Sequence, residues 1–206
     1  MKKLPYKHIL FDLGGVLIDI DYFATEKAFS ELGFLDFNSY YSQFQQSDLF
    51  DRLEKGLVSP QFFVNQLLPY CRPGTTPNQV VHAWNAMLGE FPERKVKLLH
   101  ELKANGISFS MLSNTNELHF EGVKRAWKKA NQDLFSPPFE NVFLSHEIGR
   151  RKPDATTFEW VLNEINCSAE EVLFIEDSPQ HIEGAKSIGL NCHFYTNIEG
   201  FYALFY

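Results

Sequence analysis

The stretch from His8 to Asp21, HILFDLGGVLIDID, constrains the fold more than any other. Three apolar residues, Ile9, Leu10 and Phe11, run into a single acid, Asp12, and Gly14 and Gly15 follow almost at once. A short apolar run that ends in an acid and a glycine turn predicts a buried parallel strand delivering a carboxylate to its C-terminal edge. Open α/β sheets place their chemistry at that edge. The glycines allow a sharp turn and leave the backbone open to close approach.

The rest of the chain alternates. Residues 22–88 carry helical spacing and many aromatics, with breaks at Gly33, Gly56, Pro60 and the PYCRPGTTP stretch, and predict several short helices without strands. Ser59-Pro60 and Thr76-Pro77 read as helix starts, a hydroxyl cap followed by proline in the first turn. From Phe91 the rhythm becomes helix, strand, helix, strand. Helices are expected over 92–105, 117–130, 153–165 and 181–188, and strands over 107–112, 142–144, 172–175 and 191–195. That alternation predicts an α/β fold, a parallel sheet with helices on both faces, and makes the helical segment an insertion over the active edge. The apolar tail GFYALFY is expected to dock on the body rather than hang free.

Composition excludes several classes. With 44% hydrophobic and 22% charged residues the chain reads as a water-soluble globular protein. A net charge of −7 argues against nucleic acid as the main partner. Three scattered cysteines, Cys71, Cys167 and Cys192, suggest reduced thiols in a cytoplasmic protein. Asp12 interrupts the only leader-like run, and no apolar run reaches membrane-spanning length. The default expectation is a monomer.

Polar residues fall at successive strand ends: Asp12 first, then Ser113 and Asn114, then Lys152 in a following loop, then Glu176 and Asp177. A parallel sheet brings them to one edge. Asp12 and Asp177, with Glu176 behind them, form a carboxylate cluster that a hard cation such as Mg²⁺ would relieve, and the Gly14 carbonyl is a further oxygen donor. Ser113 offers a hydroxyl and neighbouring amides to a phosphate, and Lys152 a positive charge to the same anion. One carboxylate is then placed to attack phosphorus.

Four segments in that order, FDLGGVL (11–17), LSNTN (112–116), RKPD (151–154) and FIEDSPQHIEGA (174–185), resemble the haloacid dehalogenase-like hydrolase superfamily. The LGGVLIDID and RKP wording is most similar to its α-D-glucose-1-phosphate phosphatase type. The resemblance implies a Rossmann-like core from residues 1–18 and 90–206 and a helical cap from 19–89. It implies Asp12 as a nucleophile forming an aspartyl-phosphate, and Mg²⁺ held by Asp12, the Gly14 carbonyl and Asp177 with support from Glu176. Ser113, Asn114 and Lys152 would grip the phosphate of a small phosphorylated metabolite.

One position departs from the family pattern. Most of its phosphatases carry a second aspartate two residues after the nucleophile, as general acid and base, and here that position is Gly14. General acid–base assistance supplies about 10²–10⁴-fold in rate. Its loss suits a leaving group that needs little protonation, such as the anomeric hydroxyl of a sugar 1-phosphate. Asp19, Asp21 and His181 are the candidate substitutes. Alternatives to a phosphatase are a haloacid dehalogenase, a phosphomutase, and a binding module that keeps the phosphate pocket without turnover. Candidate pocket residues of the cap are Phe23, Phe44, Phe50, Arg52 and Trp84.

Overall fold

The computed structural model describes residues 1–41, 48–131 and 138–206. Five strands, β1 (His8–Phe11), β2 (Ser108–Ser113), β3 (Val142–Leu144), β4 (Val172–Glu176) and β5 (Asn191–Phe194), form one parallel sheet in the order β3-β2-β1-β4-β5. The helices are α1 (Tyr22–Glu31), α2 (Phe37–Tyr40), α3 (Asp48–Glu54), α4 (Pro60–Leu67), α5 (Pro77–Trp84), α6 (Glu93–Ala104), α7 (Glu117–Ala130), α8 (Ser145–Ile148), α9 (Ala155–Glu164), α10 (Pro179–Ser187) and α11 (Ile198–Phe205). The α/β expectation holds.

β1 is the central strand and is buried along its whole length, with apolar residues from Ile9 to Phe11. Side-chain alternation splits its residues between two cores. Ile9 and Phe11 join Phe109, Met111, Leu173 and Ile175 on one face. Leu10 joins Leu112, Val172, Phe174 and Phe158 on the other. The chain leaves β1 toward β2 and β3 on one side and returns to β4 and β5 on the other. Connections that diverge from a central strand open a crevice at its C-terminal end. Asp12 follows β1 directly into that crevice, and its amide N–H donates to the Ile175 carbonyl of β4.

Between β1 and β2, helices α1 to α5 build a third core of their own around Phe29, Phe37, Phe50, Phe63 and Trp84. Phe29 and Phe37 stack at 4.1 Å, and Tyr41 meets Trp84 edge-on at 4.7 Å. Both expected helix starts are present. The Ser59 hydroxyl accepts from the Phe62 amide, and Thr76 closes a capping box with Gln79. Phe44 lies outside the described residues.

Several boundaries differ from the sequence reading by one or two residues. β2 starts at Ser108 rather than Ile107. α9 begins at Ala155, two residues beyond Pro153, because the Lys152 loop is held to the second strand's loop and cannot wind into the helix. α10 begins earlier than expected, at Pro179, since proline fits the first helical position once Ser178 has turned the chain.

The tail docks. Phe201 and Phe205 of α11 are fully buried, and Phe201 packs edge-on against Phe11 at 6.1 Å. Truncation of Phe201 to Ala should therefore cost about 3–5 kcal/mol of stability. A midpoint in equilibrium denaturation unchanged from the parent protein would show that the tail contributes nothing to the core.

Candidate active site

The centre of the crevice is a buried cation. Lys152 is fully buried, and its Nζ donates to Asp12 Oδ1 at 2.6 Å and to Glu176 Oε2 at 2.6 Å. Burial works against the ammonium, but the two carboxylates outweigh it and leave its pKa above the ordinary value. Read from sequence beside Arg150 and Arg151, Lys152 could equally have sat in a solvated basic patch. The structure places it between two strand ends.

Glu176 is saturated. Its Oε1 accepts the backbone amides of Asp177 and Ser178 at 3.0 Å each, and its Oε2 accepts from Lys152 and from His181 Nδ1 at 3.0 Å. Burial alone would raise its pKa, but Lys152 and His181 hold it well below the ordinary carboxylate range. Asp12 goes the other way. Burial, with the Glu176 charge adding to it, pushes its pKa well up. Asp177 is pushed up to about 7 by burial and by Glu176.

One oxygen from each of Asp12, Glu176 and Asp177 lies within 4.8 Å of the others. The raised pKa values of Asp12 and Asp177 mark acids crowded too closely to be charged together, and hard oxygen donors converging in this way fit Mg²⁺. Because four donors already occupy Glu176, Asp12 and Asp177 are the better ligand candidates, with the Gly14 carbonyl beside them. Gly15 makes the approach possible. It has φ +78°, and a Cβ there would lie 2.2 Å from Asp177 Oδ2. The close approach expected at the glycine pair is thus that of Asp177 itself.

The second strand's loop is held from several directions. Asn114 Nδ2 donates to the Lys152 carbonyl at 2.8 Å, and Asn114 Oδ1 accepts the Lys152 amide at 2.9 Å. The Asn114 side chain thus positions the Lys152 backbone, and Asn114 itself lines the crevice. Ser145 Oγ exchanges hydrogen bonds with both backbone groups of Thr115 at 2.8 Å. Ser113 lines the crevice, and its hydroxyl has no partner among the described residues. The helix expected over 117–130 is α7, capped by Asn116 three residues after Ser113.

Of the three proton-donor substitutes, His181 alone lines the cavity. Asp19 is 3.7 Å from Lys95, and Asp21 caps α1 through the amides of Phe23 and Ala24. A Cβ at position 14 would meet Ile20 Cγ1 at 3.3 Å, so an apolar side chain stands beside the site where the family pattern has an acid.

The helical segment supplies the remaining wall, but not through the expected residues. Phe23 is exposed, Phe50 and Trp84 are consumed in the segment's own core, and Arg52 lies on the surface 3.9 Å from Asp48. Tyr22, Tyr41 and Glu54 line the cavity instead, with His119 and Arg151 from the sheet side. Sequence reasoning missed these five. Aromatic spacing marks a buried face without telling core from cavity, and only the phenol oxygens of Tyr22 and Tyr41 were a usable signal.

His119 also joins the two parts of the molecule. Its Nε2 donates to the Trp84 carbonyl at 3.0 Å, its Nδ1 accepts from Asn116 at 3.1 Å, and its ring stacks on Trp84 at 4.3 Å. With both nitrogens used, it is not available as a proton donor.

Over residues 6–189 the chain matches the family described as haloacid dehalogenase-like hydrolase, and it belongs to that family. It is 27% identical to the D-ribitol-5-phosphate phosphatase of Bacteroides thetaiotaomicron, across 89% of this chain and 88% of that one. It is 28% identical to the sesquiterpene phosphatase of Aspergillus oryzae, across 90% and 87%. Among solved structures it resembles a family enzyme from Bacteroides thetaiotaomicron, an aspartate-to-alanine variant in complex with magnesium and inorganic phosphate. The TM-score is 0.90 at 28% identity, over 98% of this chain and 99% of that one.

Two outcomes follow from this geometry. Replacing Lys152 with Met should destabilise the fold by roughly 3–5 kcal/mol, because Asp12 and Glu176 are left buried without their cation. An unchanged denaturation midpoint would show that the pair is not buried as described. The second outcome concerns acid. Burial lowers His119 from the ordinary 6.5 to about 4. A depressed folded-state pKa means that its contribution is complete above pH 6.5 and is lost as pH falls toward 4, by about 3 kcal/mol. The loss of stability over that window should shrink in His119→Gln, and an identical acid profile in the variant would refute the assignment.

Proposed function

We propose that this chain is a Mg²⁺-dependent phosphatase that hydrolyses a small phosphorylated metabolite through an aspartyl-phosphate on Asp12. The observation that carries the reading is the grouping of Asp12, Lys152 and Asp177 at the crevice beside β1, with the Ser113 hydroxyl facing the same cavity. Similarity to two phosphatases, and to a family enzyme crystallised with magnesium and phosphate, supports it.

In this mechanism Lys152 pins the Asp12 carboxylate, and Asn114 fixes Lys152 by its backbone. Asp12 attacks phosphorus, forming an O–P bond as the ester O–P bond breaks and the leaving oxygen takes a proton. Water then cleaves the acyl phosphate, returning Asp12 and releasing inorganic phosphate. Ser113 donates to a phosphoryl oxygen, and Lys152 offsets the anion's charge. Asp12, the Gly14 carbonyl and Asp177 would hold Mg²⁺, which supplies charge neutralisation at the transferring phosphoryl group. Glu176 orients Lys152 and the Asp177 backbone.

Residues 19–89 act as a cap over a core made of 1–18 and 90–206, in a monomeric cytoplasmic enzyme. With glycine at position 14 the leaving group receives little help, which favours a sugar 1-phosphate such as glucose 1-phosphate. The ribitol-phosphate relative brings polyol phosphates into the same substrate class.

Phosphate release from glucose 1-phosphate, glucose 6-phosphate and ribitol 5-phosphate, with Mg²⁺ and with chelator, tests the reading. Metal-dependent release that Asp12→Asn lowers by at least 10³-fold is expected, with glucose 1-phosphate ahead of its 6-isomer. Equal rates for the two isomers would sink the leaving-group account alone. Turnover that survives Asp12→Asn would sink the aspartyl-phosphate.

A further inference from the structure

Beyond the phosphate grip, the cavity has a second charged feature. Arg151 precedes Lys152 in the chain but turns the opposite way, toward the helical segment. Its Nη2 lies 2.8 Å from Glu54 Oε2 and its Nη1 donates to Asp51 Oδ1 at 3.0 Å. Glu54 is buried at the end of α3 and lines the cavity, while Asp51 stands one turn earlier and also pairs with Lys55 at 2.9 Å. The Arg151 charge is thus already matched inside the protein.

Tyr22 links this wall to the chemistry. Its phenol lines the same cavity, and its pKa is held well above the ordinary value by burial and by the charges of Asp177, Glu54 and Asp12. Glu54 is close enough to be felt across the space a leaving group would occupy.

The charged residues of the cavity lining decide what can enter. Asp12, Glu176, Asp177 and Glu54 are acids; Lys152 and Arg151 are the cations. Lys152 is matched by Asp12 and Glu176, and Arg151 by Glu54 and Asp51. A phosphate dianion draws on Lys152 and on a cation at Asp12 and Asp177. Among the described lining residues both cations are ion-paired with acids, and bringing a second anionic group beside Glu54 costs Coulomb energy in a partly desolvated space. The lining also includes Tyr22 and Tyr41, which feel the Glu54 charge, and Met87 and Leu88, a set that suits hydroxyls and carbon rather than charge.

We propose that Glu54, paired with Arg151, is a specificity-determining residue that restricts the substrate to phosphate monoesters of neutral, hydroxyl-bearing alcohols and rejects esters carrying a second anion. This rests on the phosphatase reading above and names the substrate class for the same cavity. Glu54 does this by the charge of the wall, so its removal should change the ranking of substrates rather than the chemistry common to all of them.

A size-matched pair isolates the effect. Glycerol 3-phosphate and 3-phosphoglycerate differ by one carboxylate in place of a hydroxymethyl group. The parent protein should favour glycerol 3-phosphate at least tenfold in kcat/KM, and Glu54→Gln should narrow that preference about tenfold, since it removes the acid and releases Arg151. The same ranking should appear without turnover, in calorimetric dissociation constants of the Asp12→Asn protein for the two esters. Equal turnover and equal binding of both by the parent protein would overturn the inference while leaving the phosphatase intact, and that comparison needs no folded Glu54 variant. A folded Glu54→Gln protein with the parental preference would overturn the assignment to Glu54. Release of phosphate from neither ester, nor from the three sugar and polyol phosphates above, would overturn the reading on which the inference rests.

Discussion

The buried ammonium of Lys152 is the interaction on which the site depends. Taking a cation and two carboxylates out of water carries a desolvation cost of several kcal/mol for each ion. Good geometry offsets it only if the remaining lone pairs find donors, and here they do. Glu176 takes two backbone amides and the His181 ring in addition to Lys152. The arrangement ties together the end of β1, the loop before α9 and the end of β4, which are distant in sequence and adjacent in the sheet. Asn114 adds the end of β2 by holding the Lys152 backbone at both its N–H and its carbonyl. The site is therefore also a clamp on the C-terminal edge of the sheet.

Saturation of one acid and frustration of its neighbours are two sides of that clamp. Glu176 has every partner it can use, while burial and the Glu176 charge push the pKa values of Asp12 and Asp177 up. The crowded pair Asp12 and Asp177 and the Ser113 hydroxyl, which has no partner among the described residues, face the same crevice.

Much of the sheet and its edge was legible in the sequence because parallel strands buried on both faces leave an unambiguous signal. Apolar runs such as HILF and VLFIE end in acids, and a residue that follows a strand of known direction must lie at a known edge. The cavity wall was less legible for a physical reason. Helices α1 to α5 pack their aromatics against one another, so the same spacing that predicted Phe50 and Trp84 as buried gave no direction toward the crevice. Tyr41 and Glu54 reach the cavity from the margins of that core, through contacts between segments that no local pattern records. Asn114 shows a related limit, since its side-chain amide bonds a backbone 38 residues further along the chain, a contact that no local pattern records.

The two charged systems flanking the cavity also differ in what they join. Lys152 links elements that already share a sheet, so hydrogen bonding between strands holds its partners in place independently. Arg151 links the loop before α9 to α3, whose position comes from the aromatic core of α1 to α5. Those helices are anchored a second time by His119 and Asn116 of the α7 turn, on the carbonyl and indole of Trp84. A neutral imidazole with both nitrogens engaged and a doubly paired guanidinium give the helical wall two separate points of attachment. The strand-end side of the cavity can then stay constant while α1 and α3 supply side chains to the opposite wall. Under the specificity proposed for Glu54, a change of charge at the wall alters substrate choice and leaves Asp12, Lys152 and Glu176 untouched.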